Sequence, residues 1–357
     1  MKTTKISRRR VLGAGSVAMA ATMFGKPVLA AAEFDFKLGV NTPETHPLTI
    51  RLAEAAKAAG AQSGGRLNIT VFANSQLGGD PEMLSQVRAG GIELLAAPSM
   101  TLSTLVPLSG LPSIGFAFQS YDQVWAAMDG GVGDLVRDAI VKTGVVPLKK
   151  VWDNGFRQIT SSSSRQLNSV DDLKGFKIRV PVTALLTSLF SGLGALPSSI
   201  SYSELYSALQ THIVEGQENP LAQVSTGKLY EVQKYCALSN HCWSGYWILG
   251  NRRAIASLPP DLLELVNTAF DAAAVKGRLD MVDAVAHAVA QRQRLLVEPR
   301  RLMIDGTAVK LKPAMVRRAR DKARATRKPH NEARVTFVKI LVRELAEKLR
   351  KKLEKSS

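Results

Sequence analysis

Cysteine is scarce in this chain of 357 residues, which contains only Cys236 and Cys242. A disulfide-rich scaffold is therefore excluded, because small stapled folds depend on several bridges. A bridge between these two residues requires the chain to turn back until their Cα atoms lie within about 7 Å of each other. The sequence leaves two alternatives open, one disulfide or two buried thiols, and neither of them implies catalysis.

Local motifs of catalytic chemistry are also missing. The chain has no G-x-S-x-G elbow, no Walker A loop, no G-x-G-x-x-G loop and no C-x-x-C pair. Its five histidines are scattered and do not show the H-E-x-x-H spacing of a zinc site. We therefore predict a protein without catalytic residues, without a metal site and without a cofactor.

Acidic residues are absent from residues 1–32, which carry six Lys and Arg. They are few in residues 291–357, which carry 21 Lys and Arg but seven Asp and Glu. The body between them, 33–290, has 20 basic and 23 acidic residues, so the formal net charge of +17 describes the two ends. We expect no nucleic-acid binding by the body, and only the basic C-terminal segment leaves that question open.

No long apolar run occurs outside the first 32 residues. Residues 11–24 form an apolar run of 14 residues, which is too short to span a bilayer comfortably. The segment 7–12, SRRRVL, resembles a twin-arginine export signal, and the alanines at 30–32 offer a cleavage site. We interpret 1–32 as a twin-arginine-type signal peptide, with a membrane anchor as the alternative, and expect the mature protein in the periplasm.

The body alternates strand patterns with helix patterns. In order, we predict strand, helix, strand, helix and strand at 34–40, 47–62, 66–73, 80–90 and 92–99. Asp80 is the predicted N-cap of the second helix, Pro81 its first residue and Gly90 its end. This order predicts an α/β fold with a parallel sheet.

The length of the chain and the grouping of its strand patterns predict two lobes. We assign 33–120 to lobe 1, with a possible return crossing later in the chain. Residues 121–290 form mainly lobe 2 and a long helix that begins at 259–261. The Pro- and Gly-rich stretch 107–118 is the predicted crossing between the lobes.

Three polar residues stand at or near the ends of predicted strands. Arg179 ends the alternating stretch LKGFKIRVP, Arg157 follows a glycine turn and begins another strand, and Asn219 precedes Pro220 and so favours an extended backbone. In open α/β sheets the carboxyl ends of the strands line the ligand crevice, where two guanidinium groups and an amide would bind a carboxylate. Taken alone, each of these residues is more often a surface or structural residue.

Several stretches together carry a family resemblance. The chain contains QLGGDPEMLSQVRAGGIELLAAPS, WDNGFRQITSS, DLKGFKIRVP and YSELYSALQTHIVEGQENPLA. Their order and spacing resemble the periplasmic substrate-binding subunits of TRAP transporters, the DctP-type family, from residue 34 to residue 290. The resemblance implies a two-lobed, periplasmic-binding-protein-like fold with a hinge and a long inter-lobe helix. It also implies a small organic acid as ligand and the membrane subunits of a TRAP transporter as partners.

The same resemblance implies the roles of individual residues. Arg179 matches the arginine that holds the ligand carboxylate in a bidentate pair, and Asn219 matches the asparagine that binds the same carboxylate. Arg157 matches an arginine of the cleft wall, although the interval 157–179 is slightly longer here than in the family.

Other candidates line the expected cleft. Thr42, Glu44 and His46 lie in NTPETHP, which resembles the first cleft loop, and are candidates for substrate specificity. Tyr202 and Trp243 flank the motifs and are either pocket walls or core residues. The ligand stays open among dicarboxylates, 2-oxo or hydroxy acids, sugar acids and aromatic acids.

The resemblance ends near residue 290. The following segment is rich in Arg and Ala, and 335–355 has apolar residues at helical spacing opposite basic ones. Our hypothesis is an altered reading frame or fusion junction near 291, which sequencing of the encoding DNA would reveal. The alternatives to a binding protein are a carboxylate-acting periplasmic enzyme that uses Glu44, His46 or Glu218, and a protein whose basic tail associates with nucleic acid or membranes.

Overall fold

The computed structural model describes residues 32–162 and 166–290, with side chains as far as 285, and the backbone of 303–304 and 307–308. The predicted signal peptide and nearly all of the basic segment 291–357 lie outside the described residues, so these interpretations stay predictions. None of the described helices combines the length and the apolar character that crossing a membrane requires.

Within the described residues, strands and helices alternate along most of the chain. The strands are β1 Phe34–Val40, β2 Leu67–Phe72, β3 Leu94–Pro98, β4 Val145–Pro147, β5 Trp152–Ser161, β6 Lys177–Val180, β7 Leu196–Ser199, β8 Gly216–Pro220, β9 Tyr235–Ala237, β10 Trp243–Asn251, β11 Met303–Ile304 and β12 Thr307–Ala308. The helices are α1 Pro47–Gln62, α2 Asp80–Ala89, α3 Ser99–Leu102, α4 Tyr121–Met128, α5 Gly131–Val141, α6 Ala184–Gly192, α7 Tyr202–Gln210, α8 Leu221–Thr226, α9 Arg252–Ser257 and α10 Pro260–Ala290.

The main sheet runs in the order β2-β1-β3-β10-β5-β8-β6-β7. β1 is parallel to both β2 and β3, with Phe34 opposite Leu67 and Leu38 opposite Leu94. β6 is parallel to β7 and β8. The predicted β-α-β-α-β order and its parallel pairing are therefore confirmed, because the helices between these strands provide the crossovers that parallel pairing requires.

Helices cover both faces of the sheet at β3. In β3, Leu94 and Ala96 pack into the cluster formed with α1 and α10, whereas Leu95 and Ala97 pack into the cluster formed with α2, α4 and α5. All five residues of β3 are buried. This explains why β3 reads in the sequence as a continuous apolar run instead of an alternation.

Two strands connect the parts of the sheet. β10 pairs antiparallel with β3 and β5, and β5 continues into pairing with β8 and β9. Their register shifts between Ser244 and Gly245, which face Gly155 and Asp153, so Asn154 is the extra residue of a β-bulge. Gly155 has φ +102° there, a conformation that glycine adopts without strain.

Some local predictions were wrong. Gly79, not Asp80, is the N-cap of α2, and Asp80 is its first helical residue. Arg157 lies inside the continuous strand β5 and does not begin a strand after a turn. The cysteine alternatives are also decided, since Cys236 and Cys242 are both buried and no disulfide joins them.

Candidate functional site

Arg179 lies in β6 and is 1 % exposed, although its sequence pattern predicted a half-buried strand with a polar face. Its Nε donates to the backbone oxygen of Ile200 at 2.9 Å, which fixes the plane of the guanidinium. Neither terminal nitrogen donates to an acceptor among the described residues. Arg179 therefore presents two oriented donors of a buried cation, the fork that pairs with a carboxylate.

The charge of Arg179 is only partly balanced by the protein. Burial lowers the pKa of Arg179 to about 10, and the nearby charge of Arg157 acts in the same direction. The carboxyl groups of Glu218 and Asp80 oppose this shift. The net lowering means that the described residues leave this cation under-compensated, so an added anion would be favoured there.

Asn219 lies on the same face of the sheet as Arg179. Gln217 is directly opposite Arg179 in the parallel pair of β8 and β6, and Asn219 follows Gln217 by two residues along β8. Asn219 is 2 % exposed, and its Nδ2 donates to Oε1 of Gln217. The structure thus brings together the two residues that were predicted to share a carboxylate.

A buried chain of polar side chains supports Asn219. Nε2 of Gln217 donates to Oγ1 of Thr160 at 2.7 Å, and that hydroxyl donates to Oε1 of Gln233 at 2.9 Å. The chain ends at the wall of a cavity of about 560 Å³, to which Gln233 also contributes. Because every amide in it is oriented by the next, the chain fixes which way the Asn219 side chain points.

Replacing Thr160 by valine is expected to lower the free energy of unfolding by about 1–3 kcal/mol. The hydroxyl is lost while Gln217 and Gln233 stay buried, so each loses a hydrogen-bond partner. Urea denaturation measures the change. Thr104→Val is the control, because Thr104 is exposed in the turn that follows α3 and its hydroxyl donates only to the nearby Thr101 oxygen. Equal stability of the two variants would contradict the supporting role of the chain.

Arg157 has a protein partner that the sequence did not indicate. Its Nε and Nη2 both bind the carboxylate of Glu218, and Nη2 also donates to the Glu218 backbone oxygen at 2.6 Å. Nε2 of His241 lies 2.9 Å from Oε2 of the same carboxylate, and Nδ1 of His241 lies 2.8 Å from the Ser239 hydroxyl. Arg157, Glu218 and His241 therefore form one buried triad.

Of three possible roles for the triad, the contacts favour a structural ion pair, and they disfavour acid–base chemistry and metal binding. Burial raises the pKa of Glu218, but Arg157 and His241 outweigh burial and hold it below its usual range. The ligand atoms of Glu218, His241 and Cys242 lie within 4.8 Å of one another. Arg157 occupies both carboxylate oxygens, and burial raises the pKa of the Cys242 thiol, so a cation would find no available thiolate or carboxylate.

Two polar residues near Arg179 were missed as site candidates. Oδ2 of Asp80 accepts from Nδ2 of Asn41 at 2.9 Å, and Oδ1 of Asn41 accepts from the Tyr246 hydroxyl at 2.9 Å. Oδ1 of Asp80 is buried and accepts no hydrogen bond from the described residues. Burial raises the pKa of Asp80 to about 6, against the hydrogen bond from Asn41 and the charge of Arg179. A carboxyl followed by proline at a helix start is ambiguous in a sequence, because capping explains it equally well.

The predicted first cleft loop divides into buried and exposed residues. The Thr42 hydroxyl is buried 2.6 Å from that of Thr49, and Glu44 is exposed. His46 is the N-cap of α1, where its Nδ1 accepts from the Leu48 N–H at 3.2 Å. Burial lowers the pKa of His46 to about 3, so the ring is neutral and its proton is on Nε2.

The two aromatic candidates differ in position. Tyr202, at the start of α7, is half-buried and close enough to Arg179 for their charges to interact, and burial raises its pKa to about 12. Trp243 is 1 % exposed, packs edge-on against Trp125 and donates its indole N–H to Asp153 at 2.9 Å. Tyr202 is thus placed beside the site, and Trp243 lies in the core.

The family model of bacterial extracellular solute-binding protein family 7, DctP, matches residues 38–298. The chain belongs to this family. The match begins within β1, extends past the end of α10 and includes every residue of the candidate site described above. The predicted relationship to DctP-type binding proteins is confirmed.

Relatives of this family 7 protein include binding proteins with named ligands. The C4-dicarboxylate-binding periplasmic protein DctP of Rhodobacter capsulatus is 31% identical over 263 residues, which are 71% of this chain and 76% of that protein. The uncharacterized protein y4mM of Sinorhizobium fredii is 34% identical over 292 residues. These residues make up 82% of this chain but 53% of y4mM, so the chain spans about half of that relative.

Solved structures of similar fold hold organic acids. A TRAP periplasmic solute binding protein from Sulfurospirillum deleyianum with bound succinate has TM-score 0.70 and 26% identity, and the match covers 88% of this chain and 98% of that one. The sugar acid binding protein DctPAm from Advenella mimigardefordensis, in complex with galactonate, has TM-score 0.71 and 25% identity, with coverages of 89% and 99%. The predicted two-lobed α/β fold of this family 7 protein is confirmed.

Proposed function

We propose that this family 7 protein captures a small organic acid in the periplasm, binding its carboxylate between Arg179 and Asn219, and delivers it to TRAP transporter membrane subunits. The observation that carries the proposal is the Arg179 guanidinium, which is buried and has two terminal nitrogens without a described acceptor. A buried cation of this kind costs free energy unless an anion pairs with it. A bidentate carboxylate meets that requirement.

We further propose that the ligand carries hydroxyl groups near its carboxylate. Asp80 faces the same region as Arg179, and its buried Oδ1 accepts no hydrogen bond from the part of the chain that the structure describes. A ligand hydroxyl would donate to this oxygen, whereas a second carboxylate would be repelled by it. Sugar acids and hydroxy acids therefore fit the site better than unsubstituted dicarboxylates such as succinate.

Closure of two lobes is the proposed mechanism of capture. We assign 33–120 to lobe 1 and 121–290 mainly to lobe 2 and the long helix, with β10 as the strand that returns to pair with β3. The Ser103 and Thr183 hydroxyls lie 3.2 Å apart, and a Cβ at Gly79 would lie 2.8 Å from the Ser201 hydroxyl. These contacts join the first part of the chain to the second, and together with the burial of Arg179 they support a closed cleft.

A thermal-shift screen of the full chain tests this proposal. The panel contains galactonate and glucuronate, succinate and malate, and galactose as the uncharged control. A ligand at 100 times its dissociation constant adds about 2.7 kcal/mol to the free energy of unfolding, which raises Tm by several degrees. We expect the sugar acids to raise Tm and galactose to have no effect. A larger rise with succinate would contradict the hydroxy-acid proposal, and no rise with any acid would contradict carboxylate capture.

A further inference from the structure

Asp153 is a buried carboxyl at the crossing of β5 and β10. It is 4 % exposed, and its Oδ1 accepts from the Gly155 N–H and from the Trp243 indole N–H, both at 2.9 Å. The first bond spans the bulge within β5, and the second joins β5 to β10. A single carboxylate oxygen of Asp153 therefore links β5 to β10, the two strands that connect the parts of the sheet.

The other carboxylate oxygen of Asp153, Oδ2, has weaker hydrogen bonding than Oδ1. Oδ2 is buried and accepts no hydrogen bond of normal geometry from the described residues. The Tyr121 hydroxyl of α4 and the guanidinium of Arg278 in α10 both favour the charged form. Arg278 is largely engaged elsewhere, because it binds Asp129 through two nitrogens and stacks on Trp125 at 3.7 Å. The charged carboxylate is thus incompletely compensated.

We propose that Asp153 is a proton-linked positioning residue at the hinge, which takes up a proton when the cleft closes and releases it when the cleft opens. The proposal rests on the proposed capture of an acid by lobe closure. Opening requires β5 and β10 to change their relative angle at the bulge, and this admits water to the carboxyl. Water stabilises the charged form, so the open state favours loss of the proton.

The direction of the pH effect on closure follows from the raised pKa of Asp153 in the closed form. Burial raises the pKa of Asp153 to about 7, against the bonds from Trp243 and Gly155 and the influence of Arg278 and Tyr121. The form with the higher pKa is favoured as pH falls, so acidification from pH 8.5 to pH 6 favours closure. If hydration in the open form returns the pKa to below 5, acid affinity should rise roughly tenfold over this range.

The first measurement is a pair of fluorescence titrations of the full chain, one without ligand and one with saturating galactonate. Because the Trp243 indole donates directly to Asp153, ionisation should change tryptophan emission, with a midpoint near pH 7 in the closed, galactonate-bound chain and a midpoint below pH 5 in the open, unliganded chain. Asp153→Asn keeps an oxygen for the Trp243 and Gly155 bonds but cannot titrate, so it should abolish the transition. Asp271→Asn is the matched control, since burial also raises the pKa of Asp271, which accepts from the Lys150 N–H instead.

The second measurement is calorimetry of galactonate and succinate at pH 6 and pH 8.5. The unchanged chain should bind roughly tenfold more tightly at pH 6. Asp153→Asn should bind with nearly the same affinity at both values, while Asp271→Asn keeps the slope. A weaker pH dependence of affinity that remains in Asp153→Asn reports other groups that face the ligand, above all Asp80.

The outcomes separate this proposal from the proposed function. An emission midpoint that does not move upward toward pH 7 when galactonate binds would overturn the proton link, and this result does not depend on whether a variant folds. A pH slope that is as steep in Asp153→Asn as in the unchanged chain would overturn the link to closure. Failure of both acids to bind would contradict the capture of these acids and the link of Asp153 to their capture, whereas the unliganded titration, compared with that of Asp153→Asn, would still show at which pH Asp153 ionises.

Discussion

Replacing Arg179 by lysine is expected to weaken the binding of an organic acid about a hundredfold at neutral pH. Lysine keeps the charge but loses one of two parallel hydrogen bonds to the carboxylate, and a bond to a charged group contributes about 1.5–3 kcal/mol. The Ile200 backbone oxygen also loses the donor that now fixes the guanidinium plane. Calorimetry with the strongest ligand from the thermal-shift screen measures the loss.

The stability of an Arg179→Met variant separates a ligand role from a structural role. The lowered pKa of about 10 shows that the fold disfavours the charge of Arg179. For a base with a lowered pKa, this cost is fully present at neutral pH and disappears only above the lowered value. Arg179→Met should therefore raise the free energy of unfolding, by up to about 3 kcal/mol, and abolish binding. A destabilised variant would indicate that the guanidinium holds the fold together.

The control for both variants is Arg66→Lys. Arg66 is an exposed arginine with two carboxylate partners, Glu33 and Asp261. Substitution of such a surface residue should leave acid binding unchanged. Equal losses in Arg66→Lys and Arg179→Lys would mean that general charge, and not the oriented fork, determines affinity.

The elements of the fold were predictable because their signals are local. The strand signal in 34–40 is an alternation of apolar and polar residues, and the signal of α2 is a proline at its start and a glycine at its end. Each signal involves only neighbouring residues, and the structure confirms both the strand and the helix. The helix N-cap was misplaced by one residue because Asp80 satisfies the capping preference equally well. What decides its position is the contact of the buried carboxyl with Asn41, 39 residues away in sequence.

The polar arrangement of the site was less predictable because its contacts are distant in sequence. Arg157 and Glu218 are separated by 61 residues, and His241 lies 23 residues beyond Glu218. No periodicity links these positions, so the sequence suggested Arg157 as a ligand residue and Glu218 as an acid–base residue. The structure pairs them, because β5 and β8 are neighbours in the sheet.

The bulge at Asn154 was mistaken for a turn for a related reason. Glycine after aspartate and asparagine is a strong turn signal, and nothing nearby in the sequence contradicts it. The antiparallel partner β10, about 90 residues later, continues the strand across this point. The positive φ of Gly155 therefore belongs to a β-bulge within a continuous strand and not to a turn that reverses the chain.

Replacing Glu218 by glutamine is expected to lower the free energy of unfolding by about 3–5 kcal/mol at neutral pH. The amide keeps the shape of the side chain but removes the negative charge that, among the described residues, binds Arg157, which is 3 % exposed. The variant then buries two neighbouring arginines, Arg157 and Arg179, without the carboxylate that balances them. Chemical denaturation monitored by tryptophan fluorescence measures the change.

The matched control is Glu54→Gln in the pair that Glu54 forms with Arg51 on α1. Glu54 is 53% exposed, so its loss should cost no more than about 0.5 kcal/mol. A second variant, Glu218→Gln combined with Arg157→Met, removes both members of the buried pair and should recover part of the lost stability. Recovery would assign the cost to an uncompensated charge. A double variant as unstable as Glu218→Gln would assign it to lost packing or lost hydrogen bonds.

The pH dependence gives an independent check on the same triad. The pKa of Glu218 is held below its usual range, so its contribution is fully present above the pKa of an unfolded glutamate. That contribution is lost as pH falls through the lowered value, because Arg157 then faces a neutral acid. Glu218→Gln removes this contribution at every pH, so the variant and the unchanged chain should converge in stability toward strongly acidic pH. A constant difference down to that pH would mean that the charge of Glu218 contributes nothing to the fold.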